Sequence, residues 1–127
     1  MGVDANNVRK INIALEKAME RLETAHREGA TIASGSDLLG PMQVYKAREL
    51  EIKARVLGPM GALIASTRTN AELLNRTGDL GTLEAGKLAD LILVDGDPLA
   101  DITVLQHYRE KIHLIMQGGR VYKNCVD

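Results

Sequence analysis

The chain has 127 residues, with 16 basic and 17 acidic side chains and a formal net charge of −1 at pH 7. That length suits one domain of roughly 100–200 residues and is far short of the about 250 residues a complete (β/α)₈ barrel needs. Balanced charge, three Tyr and no Phe or Trp argue against a nucleic-acid surface, which needs a basic footprint and aromatic platforms for stacking.

The first expected element is a helix over residues 6–27. Val8, Ile11, Leu15, Ala18, Met19, Leu22 and Ala25 recur at spacings of three and four, drawing one apolar stripe of a packed surface helix. Asp4, Asn6 or Asn7 can cap its start, and Gly29 stops it. Residues 30–34, Ala-Thr-Ile-Ala-Ser, are small and β-branched without alternating charge, the pattern of a strand buried on both faces. Gly35-Ser36-Asp37 ends that strand, and Pro41 is placed to open a helix over 42–57. Val44, Ala47, Leu50, Ala54 and Leu57 share one face of it, while Glu49 and Lys53 form an i,i+4 pair on its flank worth a few tenths of a kcal/mol. Gly58-Pro59 breaks this helix and starts a short one through Ser66. Asn70 is placed to cap another over 71–75.

At Thr77-Gly78-Asp79 the helical period ends. Residues 88–95 read as a strand closed by a Gly96-Asp97-Pro98 turn. Residues 111–117 read as another, and Gly118-Gly119 supplies a tight hairpin to a third over 120–123. No run approaches the 18 or so apolar residues of a membrane span. The start lacks an apolar leader and has Asn6 where a myristoylation signal has Ser or Thr, so the expected location is the cytoplasm. The single cysteine, Cys125, excludes an intrachain disulfide framework and a cysteine zinc cluster. A core without Phe or Trp must be packed from Leu, Ile, Val, Ala and Met. One difficulty stands out: the buried strand at 30–34 has no parallel neighbour in this chain to satisfy its backbone groups.

Two segments resolve it. Gly29-Ala30-Thr31-Ile32-Ala33-Ser34-Gly35-Ser36-Asp37-Leu38-Leu39-Gly40, and the stretch from Leu80 to Leu99 with the pattern GxLExGKxADLxxxDGDP, together resemble the carboxyl-terminal third of metal-dependent amidohydrolases of the imidazolonepropionase-like and prolidase-like branch. The second segment is highly specific; Gly-Ser-Asp alone is weak. The resemblance implies an α/β fold: the C-terminal fragment of a (β/α)₈ TIM barrel, its last strand and helices over 1–78, followed over 79–127 by the C-terminal strands of a composite β-sandwich. It also implies that Asp37 binds a divalent metal, zinc in first place, and moves a proton between metal-bound water and the leaving amine. Barrel enzymes carry their active groups at the carboxyl ends of strands, and a carboxylate beside a metal hydroxide can orient it and shuttle its proton. From the residues alone, Asp37 reads first as a turn or helix-cap aspartate.

The family's other ligands are a His-x-His pair, a lysine or glutamate, and two further histidines on earlier strands. This chain has only His26, His107 and His113, scattered and without a His-x-His. One carboxylate does not hold zinc, which takes three or four protein ligands, so no metal is expected on this chain alone. Asp90, Asp95 and Asp97 lack EF-hand spacing. Ser34 and Ser36 show no paired base, and Gly35, Gly40 and Gly58 form no phosphate cradle. Gln43, Tyr45 and Arg48 are placed where substrate contacts could fall, though solvated helix positions account for them as well.

The reading is therefore a C-terminal segment of a hydrolase of amide, peptide or cyclic-amide C–N bonds, using a metal-activated water and inactive as this chain alone. The alternatives are a non-catalytic oligomerising module and one subunit of a split hydrolase. Expected partners are a second copy or the missing N-terminal part, and a small amide or dipeptide in the parent protein. Neither a nucleic acid nor a membrane is among them.

Overall fold

The computed structural model describes residues 5–126. They fall into two compact units, one running to Ile32 and the other from Ala33 onward.

The first unit is built on helix α1, Ala5–Arg27, close to the span that the apolar period predicts. Met19, Leu22 and Ala25 are half-buried along the predicted stripe, while Ile13 and Ala18 are exposed. The side chains of Val8, Ile11 and Leu15, and the cap position Asp4, lie outside the described residues; Asn6 and Asn7 are inside the helix. The helix stops at Gly29, where Gly29 N donates to His26 O and Ala30 N to Ala25 O at 2.9 Å. This paired closure satisfies carbonyls the last turn would leave open.

Residues 30–39 have no regular secondary structure, which corrects the strand expected at 30–34. A strand exists only where a neighbour supplies ladder partners, and this segment has none. The chain then makes a 3₁₀ turn, Gly40–Tyr45, with Pro41 near its start. Helix α2, Arg48–Ser66, follows and begins about one and a half turns later than expected. Met42, Val44 and Tyr45 are accordingly exposed rather than on a helix face. Gly58 has φ 71° and ψ 165°, which is not helical, so α2 is two helical stretches meeting at a kink, at the predicted Gly58-Pro59 break. Helix α3, Arg68–Leu73, starts two residues before Asn70, so Asn70 lies inside it and is not its cap. Asn75, at φ 54°, closes it: Arg76 N bonds Ala71 O and Asn75 N bonds Glu72 O.

The carboxyl-terminal strands are β1, Leu91–Val94, β2, Ile112–Gln117, and β3, Arg120–Asn124. They form one antiparallel sheet in the order β1-β2-β3, with Ile92 opposite Ile115 and Met116 opposite Val121. The β2–β3 turn is Gly118-Gly119, at φ 56° and 77°, the double positive φ that a two-residue hairpin needs to match strand twist. Between β1 and β2 a 3₁₀ segment, Ile102–Gln106, packs on α2 and buries Ile102 and Leu105. Among the described residues no helix is long and apolar enough to cross a membrane.

Among the described residues the buried apolar side chains are Ala62, Ala65 and Ala71 with Ile102, Leu105 and Ile112. Gly81 approaches α3 closely. A Cβ there would stand 2.7 Å from Ala71 Cβ, at a φ of 93°. Gly86 has a similar φ, 90°, but open space around it. Replacing Gly81 by Ala therefore adds a steric clash to the backbone strain that Gly86→Ala suffers alone. We expect G81A to lower the unfolding free energy by about 1–3 kcal/mol more than G86A, as measured by equilibrium unfolding in urea.

Candidate functional site

Asp37 sits on the irregular segment between Ala33 and Leu39, exposed, in the left-handed region at φ 50°. Without a ladder, three side chains of α2 and α3 hold the residues that lead to it. Asn70 Nδ2 donates to Ser34 O, and Asn70 Oδ1 accepts from Ser34 N, both at 2.9 Å. One side-chain amide thus gives Ser34 the donor and acceptor that a neighbouring strand would have given. Glu49 Oε1 accepts from Gly35 N at 2.8 Å, from Ser34 Oγ at 3.0 Å and from Lys53 Nζ at 2.5 Å. Lys53 Nζ also donates to Ala33 O at 2.6 Å. Three consecutive residues, 33–35, are clamped from two helices.

This arrangement corrects the sequence reading of Glu49 and Lys53. They are not a solvated flank pair: their side chains retain 18% and 11% of their exposure. Hydrogen bonds to charged groups contribute about 1.5–3 kcal/mol, against a few tenths for an exposed i,i+4 pair. The period of α2 placed the two together; nothing in it shows that they face a loop. Asn70 left one signal, a residue poorly suited to helix interiors, which the cap reading absorbed.

Burial pushes the Glu49 carboxyl up, but the Lys53 hydrogen bond, the Gly35 N–H, the Lys53 charge and the Ser34 hydroxyl outweigh it, and the group lies below its ordinary value. A carboxylate stabilised in this way is a weak base. The Ser34 hydroxyl therefore does have a carboxylate partner, contrary to the sequence reading, but not one suited to activate it as a nucleophile.

The remaining candidates are spread out. Asp90 Oδ1 accepts from Gly118 N at 2.6 Å and ties the hairpin to the start of β1. Asp95 pairs with Lys111 at 2.8 Å, and Asp97 accepts from Leu99 N at 2.8 Å in the turn after β1. The three aspartates of the specific motif thus do three separate structural jobs. Gln43, Tyr45 and Arg48 are exposed, as are His26 and His107. Cys125 is an exposed free thiol. Among the described residues no three His, Cys, Asp or Glu side chains converge to hold a metal ion, so Asp37 by itself does not fit a bound divalent metal.

Residues 2–121 match the model of the amidohydrolase family, and the chain belongs to that family, whose members generally use a divalent metal. Over 65 residues, 51% of its length, it is 54% identical to an imidazolonepropionase of Aromatoleum aromaticum. It superposes over 97% of its length on a prolidase solved with N-methylphosphonate-L-proline, at a TM-score of 0.83 and 36% identity. A Xaa-Pro dipeptidase solved with methionine in its active site matches 84% of the chain at a TM-score of 0.74 and 30% identity. The chain spans only 16% of the length of that imidazolonepropionase and 30% of that prolidase.

The Glu49 environment gives a pH prediction. Its folded-state value lies below the unfolded one, so its contribution is full above the ordinary glutamate pKa of about 4.3 and is lost as pH falls through the depressed folded value. The stability advantage of the wild type over Glu49→Gln should be constant from pH 7 to about 5 and shrink below about 4, as read from urea midpoints across pH.

Proposed function

We propose that the chain is the C-terminal segment of a metal-dependent amidohydrolase that hydrolyses amide, peptide or cyclic-amide C–N bonds, and that Asp37 is its contribution to the active site. The observation that carries this is Asp37 itself: an exposed carboxylate on a clamped segment, in a chain that matches a prolidase structure over nearly all its length. In this reading residues 1–78 complete a (β/α)₈ barrel and 79–127 complete a β-sandwich. The irregular segment at 30–34 gains strand partners only beside the rest of the barrel. The full site takes a divalent metal, zinc first, whose chemistry is to activate water. The described residues of this chain do not hold such an ion, so alone it is inactive and no hydrolytic step is assigned within it.

Association with a complementary N-terminal polypeptide, or with a second copy, is part of the same proposal. Ile92, Leu93, Val121 and Tyr122 on the sheet, and Leu73, Leu74 and Leu83 near α3, are exposed apolar side chains that a partner surface would cover. They also favour the second reading, a non-catalytic oligomerising module or one subunit of a split hydrolase. Activity separates the two hydrolase readings from the non-catalytic module. With the remaining ligands supplied by a complementing polypeptide and zinc, turnover of a panel of dipeptides and cyclic amides is expected. Asp37→Asn should then lower kcat by about 10²–10⁴, the usual worth of a positioned acid–base group. Unchanged turnover in D37N would remove Asp37 from the site.

A further inference from the structure

We infer that Asn70, Glu49 and Lys53 are positioning residues for Asp37: the amide of Asn70 and the Glu49–Lys53 pair replace a neighbouring strand and fix the backbone two residues ahead of the carboxylate.

The case rests on where the bonds fall. Asp37 is exposed and lies in no helix or strand, so nothing in its own secondary structure fixes its direction. The nearest anchors that reach other elements are Ser34 N and O on Asn70, Gly35 N on Glu49 and Ala33 O on Lys53, while Leu39 O is held only locally by Met42 N. The Asn70 contact joins residues 36 apart in sequence, and the Gly35 and Ala33 contacts join residues 14 and 20 apart. They tie the segment to two different helices, and α2 and α3 are themselves in contact. Both hydrogen-bonding atoms of Asn70 reach Ser34 at 2.9 Å, and Nδ2 also donates to Ser66 O at a longer 3.4 Å. Lys53, the one charged residue among the buried described residues, spends its ammonium on Glu49 and a loop carbonyl. An aspartate that must meet a metal, a water and a leaving group within a fraction of an ångström needs such a rigid mount. The inference rests on Asp37 being the functional carboxylate, but the following experiment reads the clamp without needing metal or turnover.

Backbone ¹⁵N relaxation on the 127-residue chain gives the order parameter of the Asp37 N–H, with the Gly118-Gly119 hairpin as an internal control for folding. The wild type should show Asp37 near about 0.85, the rigid-backbone value, and Asn70→Leu and Glu49→Ala should lower it below about 0.6 with the hairpin unchanged. Asn70→Asp, which keeps the acceptor for Ser34 N but loses the donor to Ser34 O, should fall between. A residue that only stabilised the fold would lower the unfolding midpoint and leave Asp37 as ordered as before. Asp37 staying near 0.85 in both N70L and E49A with an intact hairpin would overturn the proposal, as would a wild-type value already below 0.6. Should N70L fail to fold, E49A and N70D carry the same test. A failure of the hydrolase reading would appear separately, as full turnover in D37N with the clamp intact.

Discussion

The backbone of Ala33-Ser34-Gly35 needs partners, and among the described residues no strand pairs with it. Much of the second unit follows from how that need is met. A buried donor or acceptor left open costs about 1–3 kcal/mol. Asn70 answers two part-buried groups at Ser34 and Lys53 one at Ala33 while neutralising Glu49, which also accepts from the exposed Gly35 N. For those side chains to reach one segment, α2 and α3 must lie close together. The two helices are in contact, and Gly81, without a Cβ, lies close against Ala71, Arg68 and Thr67.

The most specific stretch of sequence has a different role from the one its aspartates first suggest. In Leu80 to Leu99, Gly81 admits α3, Lys87 donates to Thr82, Asp90 holds the hairpin, Asp95 takes Lys111, and Asp97 forms its own turn. A motif can identify a family because it folds a sheet in one way, without touching substrate. The less specific Gly-Ser-Asp element carries the candidate chemistry, because a catalytic loop has few local rules of its own once its mount is supplied from elsewhere.

Apolar patterning made α1 and the three carboxyl-terminal strands legible in the sequence, and the Gly and Pro positions made the break at Gly58-Pro59 and the Gly118-Gly119 hairpin legible. The expected strand at 30–34 was not realised, because strand formation depends on a neighbour and not on β-branched composition. The later start of α2 reflects a 3₁₀ turn at Pro41 that apolar spacing does not distinguish from a helix's first turn. Asp37 was legible through its place in a family pattern. Glu49, Lys53 and Asn70 were visible only as a helix-flank pair and a cap, since their partners lie 14 to 36 residues away and no local pattern encodes that separation.

The central claim is that this chain brings one carboxylate to a metal site whose other ligands lie elsewhere. Elemental analysis of the purified chain after gel filtration addresses it most directly. Less than about a tenth of an equivalent of zinc, manganese or iron per chain is predicted, since one carboxylate falls short of the three or four ligands such ions take. One or more equivalents would contradict the claim and show that the chain completes a metal site by itself or with its own copies.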